Sequence, residues 1–236
     1  MKEFNEAYAM DFEEVENEYI QPNPANRTVV NYKYLFSIVM AVYNVERYLR
    51  EAINSVIKQS IGFDKIQLIL VDDGSTDESG LICDEYADQY PENIRVIHKE
   101  NGGVSSARNA GLPLIEGRFT NFLDADDTLS PSTLKCVQDF FIAHLNQIDL
   151  VAIPVFFFDA KKGPHILNYR FKQGSRIINL DKYWTCIQNS MSSAFVKSEI
   201  VKTMKFDERL AYSEDCKVVQ MILARRHALG LLSKGR

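Results

Sequence analysis

Cysteine, long apolar runs and positive charge are all scarce in this chain. Its 236 residues hold four cysteines, Cys83, Cys136, Cys186 and Cys216. They are scattered, with no Cys-x-x-Cys pair and no histidine at ligand spacing, which argues against a disulfide framework or a structural zinc site. Free thiols in a reducing cytosol are the expectation. No apolar stretch approaches the ~20 residues of a membrane-spanning helix. The N-terminal segment is acidic and lacks the apolar centre of a signal peptide. A cytoplasmic protein is expected, with peripheral membrane association left open. The net charge of -5 argues against nucleic acid as a partner, since that needs a basic surface. Also missing are a glycine-rich dinucleotide fingerprint and the lysine of a phosphate loop.

Two regions differ in pattern. Residues 1–33 form an acidic N-terminal extension, with Glu3, Glu6, Asp11, Glu13, Glu14, Glu16 and Glu18 against Lys2. Phe4, Tyr8, Phe12, Val15 and Tyr19 recur at helical spacing, so a short amphipathic helix and a disordered leader both remain open. Residues 34–236 read as one α/β domain. Apolar runs at Leu35–Val42, Ile66–Val71, Ile94–His98, Phe119–Leu123 and Leu150–Phe158 predict strands. Helical periodicity at Val45–Gln59, from Thr76 or Asp77 to Tyr90, at Val104–Gly111 and from Ser130-Pro131 to Leu145 predicts helices between them. This alternation implies a mostly parallel, Rossmann-like central sheet with helices on both faces. Beyond Asp159 the order is less regular. Lys161–Ile178 reads as loop with short strands, Leu180–Gln188 as weakly helical and Ser192–Phe195 as a short strand. Ser213 can cap a final helix over Glu214–Arg226.

Ligands in such sheets bind at the carboxyl ends of the strands, and four polar segments fall there. They are Val42-Tyr43-Asn44, Asp72-Asp73-Gly74-Ser75-Thr76-Asp77, Asn101-Gly102-Gly103 through Arg108-Asn109, and Asp124-Ala125-Asp126-Asp127. Three carboxylates within four residues repel one another unless a cation sits among them, and Mg2+ or Mn2+ is the usual solution. An acidic turn is the plainer alternative. Gly102 and Gly103 open a helix whose N–H groups can face an anion.

Together, in order and spacing, these segments resemble the family 2 glycosyltransferases, inverting enzymes with a nucleotide-sugar-binding GT-A fold. The resemblance runs from about Tyr34 to Arg226. It implies that Val42, Tyr43, Asn44, Asp72 and Asp73 surround the base and ribose of the donor. Arg108 lies near that donor. Asp124-Ala125-Asp126 is the D-x-D motif, with Asp124 and Asp126 toward the metal, Mn2+ or Mg2+. In Tyr212-Ser213-Glu214-Asp215-Cys216 it implies Asp215 as the catalytic base and Glu214 as a neighbour that orients the acceptor. Trp184, with Tyr183 and Met191, falls where relatives bind acceptor.

The function so implied is metal-dependent, inverting transfer of a sugar from a nucleotide-diphosphate donor, a UDP-sugar by resemblance, to an acceptor hydroxyl. The acceptor would be a saccharide or lipid-linked saccharide in surface polysaccharide assembly. A catalytically silent nucleotide-sugar-binding module and a metal-dependent nucleotidyltransferase are the alternatives. Relatives commonly continue beyond the base helix, so a C-terminal truncation that removes a lid is an open expectation at Arg236. Oligomeric state is also open. His98, His144 and His165 read as structural or surface residues, and Phe156-Phe157-Phe158 as a strand end and core.

Overall fold

A computed structural model describes residues 32–158, 162–182, 190–210, 214–223 and 228–233. The extension assigned to 1–33 lies almost wholly outside the described residues, and so do Tyr183 and Trp184.

The first strands are β1 (Tyr34–Val42), β2 (Ile66–Asp72), β3 (Ile94–His98) and β4 (Gly117–Phe122). The helices between them are α1 (Glu46–Ile57), α2 (Ser79–Gln89) and α3 (Val104–Gly111). Side chains alternate across each strand, and both faces are covered. Phe36, Ile38, Met40, Leu68 and Leu70 face one core layer, with Leu49, Ile53 and Val56 of α1 and Ile82 of α2. Val39, Ile69 and Val71 face the other, with Ala107 of α3. Burial on both sides explains the nearly unbroken apolar sequence of β1 and β2. Gly111 lets α3 lie close on the sheet, because a Cβ there would come within 2.7 Å of the Val39 side chain.

The remaining elements are α4 (Thr133–His144), β5 (Leu150–Ala152), β6 (Phe156–Phe157), β7 (Gly163–Pro164) and β8 (Arg176–Asn179). Then come β9 (Ala194–Lys197), α5 (Ser198–Val201), α6 (Glu214–Leu223) and β10 (Ala228–Leu231). The main sheet has the order β3-β2-β1-β4-β9-β5-β10-β8, and β6 pairs with β7 apart from it. Strands β1 to β4 are mutually parallel, as is β5 with β10. Strand β9 runs antiparallel to both β4 and β5, and β8 antiparallel to β10.

The sheet is therefore mixed, and its parallel character is confined mainly to the first half. Strand β9 separates β4 from β5 because long-range contacts hold it there. The Asn121 amide donates to the carbonyls of Met191, Ser192 and Ala194. Phe195 packs edge-on against Phe36, with ring centroids 6.0 Å apart. Buried Lys197 donates to Asp149 at 2.8 Å.

Other boundaries move for local reasons. The apolar run 150–158 divides at Pro154, which cannot donate to a ladder. Pro131 lies ahead of α4 rather than in its first turn, and its carbonyl accepts from the Ser60 N–H at 2.8 Å. Helix α2 begins at Ser79, and β10 was not anticipated from sequence. Leu180 and residues 181–182 form a turn, and the rest of the helix expected to Gln188 lies outside the described residues. Among the described residues no helix is long and apolar enough to cross a membrane.

Candidate active site

The four polar segments converge at the carboxyl ends of β1 to β4. The first two cap each other. Asn44 adopts a positive φ of 51°, a conformation asparagine tolerates better than most residues. Its Oδ1 accepts from the Thr76 N–H at 2.8 Å, and its own N–H donates to Ser75 Oγ. Asp77 accepts from the backbone of Ser79 and Glu46, and Glu46 returns an acceptor to the Glu78 N–H. The starts of α1 and α2 are thus tied by side chains that satisfy otherwise orphaned amides. Val42 is buried beneath this loop, whereas Tyr43 is 49% exposed and presents its ring to solvent.

Both aspartates at the end of β2, Asp72 and Asp73, are buried. Asp72 Oδ1 accepts from the Ser75 N–H, and Oδ2 lies 2.9 Å from His98 Nδ1. Burial alone would raise the Asp72 pKa, but the hydrogen bonds from Ser75 and His98 outweigh it and the net shift is downward. His98 also meets Asp84, and the hydrogen bonds to Asp72 and then Asp84 raise its pKa. Asp73 accepts from the N–H groups of Gly102 and Gly103 and from Lys99 Nζ at 2.6 Å. The anion at the start of α3 is therefore the protein's own carboxylate. Gly103, with φ of 84°, makes the turn that aims these amides. Neither Lys99 nor His98 stood out in the sequence as part of this arrangement, and no local motif marks them.

Arg108 joins the two halves of the domain. It is buried, and its Nη2 donates to Asp124 Oδ1 at 3.0 Å while Nη1 donates to Asp215 Oδ1 at 2.5 Å. Its guanidinium also lies 5.4 Å from the centre of the Phe206 ring. The other Asp215 oxygen accepts from the Met191 N–H at 2.9 Å. Asp215 is the second residue of α6, and Glu214 opens that helix.

The acidic turn after β4 divides its carboxylates. Asp126 is exposed, Ala125 is buried, and Asp124 and Asp127 are intermediate. Asp124 is pushed up to about 6: burial raises it, Arg108 pulls it down, and Asp127 and Asp215 push it up. With 43% of its side chain open, water screens part of that push. Asp127 is also raised, by burial first and Asp126 second. Among the described residues no three His, Cys, Asp or Glu side chains converge as a metal cage.

Beside this turn lies a cavity of about 310 Å3 whose lining includes Asp127, Ser192, Phe156 and Phe158. Phe156 and Phe158 are each 44% exposed. Phe156 and Phe157 do form a strand, β6, but the expectation of core is corrected for Phe156 and Phe158. Once Pro154 ends β5, the chain leaves the sheet and the rings stand at a cavity edge.

A model of the family described as glycosyl transferase family 2 matches residues 37–204. Among curated proteins, the chain is 47% identical over 206 residues to the minor teichoic acid biosynthesis protein GgaB of Bacillus subtilis (strain 168). That match covers 87% of this chain and 23% of GgaB. It is 38% identical over 206 residues to the minor teichoic acid biosynthesis protein GgaA of the same organism, covering 86% of this chain and 46% of GgaA. The chain thus spans less than half the length of either relative. The solved structure of S. aureus TarS 1-349 in complex with UDP-GlcNAc matches with a TM-score of 0.74 and 27% identity. It covers 85% of this chain and 56% of that one. The mixed sheet and flanking helices are the GT-A arrangement that TarS shares.

Proposed function

The chain belongs to glycosyl transferase family 2, and on that premise we propose that it transfers a sugar from a UDP-sugar to an acceptor hydroxyl with inversion. The acceptor belongs to a growing cell-envelope polymer of teichoic type, as the names of GgaB and GgaA suggest. The crystallised TarS complex with UDP-GlcNAc supports the uridine donor. The reaction takes place in the cytoplasm or at the inner face of the membrane.

The observation that carries this reading is the double ion pair of Arg108. Arg108, 107 residues from Asp215 in sequence, thereby sets Asp215 beside the Asp124–Asp127 turn. Asp215 accepts hydrogen bonds on both oxygens, from Arg108 and from the Met191 N–H. A carboxylate can take the proton of an attacking hydroxyl, so we assign Asp215 as the general base. As the acceptor oxygen bonds to the anomeric carbon, its proton passes to Asp215. The anomeric carbon–oxygen bond breaks on the opposite face, and UDP leaves with the electron pair. Tyr43 flanks the nucleobase, with Val42 buried beneath it, Asn44 and Asp72 hold the loops that frame the ribose, and Asp73 holds the start of α3.

The donor set at Asp124 and Asp126 fits Mn2+ or Mg2+. Both are hard oxygen ligands, and one or two carboxylates completed by substrate phosphate is a usual shell for such an ion. When bound, the ion would neutralise charge on the leaving diphosphate. Asp126 is the more open of the two ligands, and Arg108 orients Asp124.

Proton NMR of the first product formed from an α-linked UDP-sugar tests the proposal. A β-linked product is expected. An α-linked product would overturn single displacement, and no transfer from any of the UDP-, GDP-, CDP- or dTDP-sugars would leave a silent binding module.

A further inference from the structure

The cavity beside Asp127 is not used by the donor chemistry above. Its volume of about 310 Å3 is at the small end of ligand pockets, which run roughly 300–1,000 Å3. Its lining includes two exposed aromatic rings, Phe156 and Phe158, two carboxylates, Glu51 and Asp127, and the hydroxyls of Ser130 and Ser192. No lysine or arginine is among the described residues that line it.

The segment around Ser130, which lines the cavity, is held in place by Gln59. The Gln59 side chain donates to the Ser130 carbonyl at 2.8 Å and accepts from the Leu134 N–H at 3.0 Å. It therefore fastens the end of α1 to the start of α4. One wall of the cavity is also linked to the proposed base. Ser192 hydrogen-bonds Asp127, and the preceding residue, Met191, donates its N–H to Asp215.

We propose that this cavity holds a neutral sugar ring of the acceptor, stacked on Phe156 or Phe158 and hydrogen-bonded to Asp127 and Glu51, rather than a phosphate unit of the polymer. The C–H face of a pyranose is apolar and suits an exposed aromatic ring. Its hydroxyls donate to carboxylates, whereas a phosphate would meet two like charges and no lysine or arginine among the described lining residues. Because residues 191–192 tie the cavity wall to Asp215, a ring seated here presents the next hydroxyl toward the base. The inference rests on the proposed transferase reading and adds to it the chemistry of the acceptor's binding unit.

Saturation-transfer NMR on the whole chain, with UDP and Mn2+ present, tests it. The probes are the methyl glycosides of glucose, galactose, N-acetylglucosamine and N-acetylgalactosamine, with ribitol 5-phosphate for comparison. At least one glycoside should bind, with ribitol 5-phosphate at least tenfold weaker. The double variant Phe156→Ala/Phe158→Ala should weaken that glycoside at least tenfold, and Phe156→Tyr/Phe158→Tyr should restore it. Ile166→Ala, at an exposed side chain outside the cavity, should change nothing. No glycoside binding, equal binding by the alanine variant, or preference for ribitol 5-phosphate would overturn the proposal. A UDP titration of the same sample separates the two readings. Failure to bind UDP sinks the donor assignment, whereas Phe-dependent glycoside binding without UDP leaves the cavity assignment standing.

Discussion

The half of the domain that ends at β4 and the half that follows are built on different principles. In the first, each strand hands over to a helix, and each crossover is locked by side chains within a few loops. Asn44, Asp72, Asp73 and Asp77 all bond backbone amides there. In the second, short strands enter the sheet out of chain order, and β9 lies antiparallel between β4 and β5. The donor-side framework is rigid and local, whereas the base is delivered from a distance. Arg108 is the joint between them.

That contrast can be broken at several points. The largest effect belongs to Asp215→Asn. Losing the base should lower kcat by about 10^2- to 10^4-fold in a sugar-transfer assay. A variant as active as wild type would remove Asp215 from the mechanism. Arg108→Met comes next. It takes the guanidinium from a buried bridge and leaves two carboxylates side by side, at a cost of about 3 kcal/mol in urea unfolding, with activity falling too. If stability held while activity fell, Arg108 would be a ligand contact and not the joint.

Asp73→Asn sharpens the first-half side of the comparison. The charge that faces the Gly102 and Gly103 amides and Lys99 is lost, and about 2 kcal/mol of stability should go with it. A change near zero would show that the α3 start does not depend on this carboxylate. The smallest effect is at His98. Its pKa is raised above the ordinary 6.5 by Asp72 and Asp84, so its contribution is complete below pH 6.5 and fades as pH rises through the folded-state value. Asp72, lowered, contributes above its ordinary 3.8 and loses that contribution as pH falls through its folded-state value. His98 is 48% exposed, which keeps the effect small. Unfolding curves of His98→Gln should therefore differ slightly from wild type at pH 6 and converge near pH 9.

The same contrast explains what could be read from sequence. The βα units from Tyr34 to Leu123 carry their own periodicity, so strands, helices and the line of polar loops were legible within a few residues. The second half was legible in part: the helix after Ser130-Pro131, the strand from Leu150, a short strand near Ser192–Phe195 and the helix from Glu214 were expected and are present within a few residues. The place of Ala194–Lys197 in the sheet was not, because it depends on Asn121, Phe36 and Asp149 far away in the chain, and Ala228–Leu231 is too short to announce itself. Asp215 was found by resemblance alone, and its link to Arg108 spans too much sequence for any local pattern to show. An aspartate after a strand also looks the same whether it receives a ligand or a backbone amide, so the inward turn of Asp73 became visible only in three dimensions. Pro154 did carry a signal, since a proline inside an apolar run argues against one continuous strand.

The division of labour between the halves is tested most directly by calorimetric titration of UDP, with and without Mn2+, on wild type, Asp126→Ala and Asp215→Asn. Wild type should bind UDP tightly only with Mn2+, Asp126→Ala should lose that metal-dependent binding, and Asp215→Asn should keep it. Equal binding by Asp126→Ala and wild type, or loss of UDP binding in Asp215→Asn, would contradict the account.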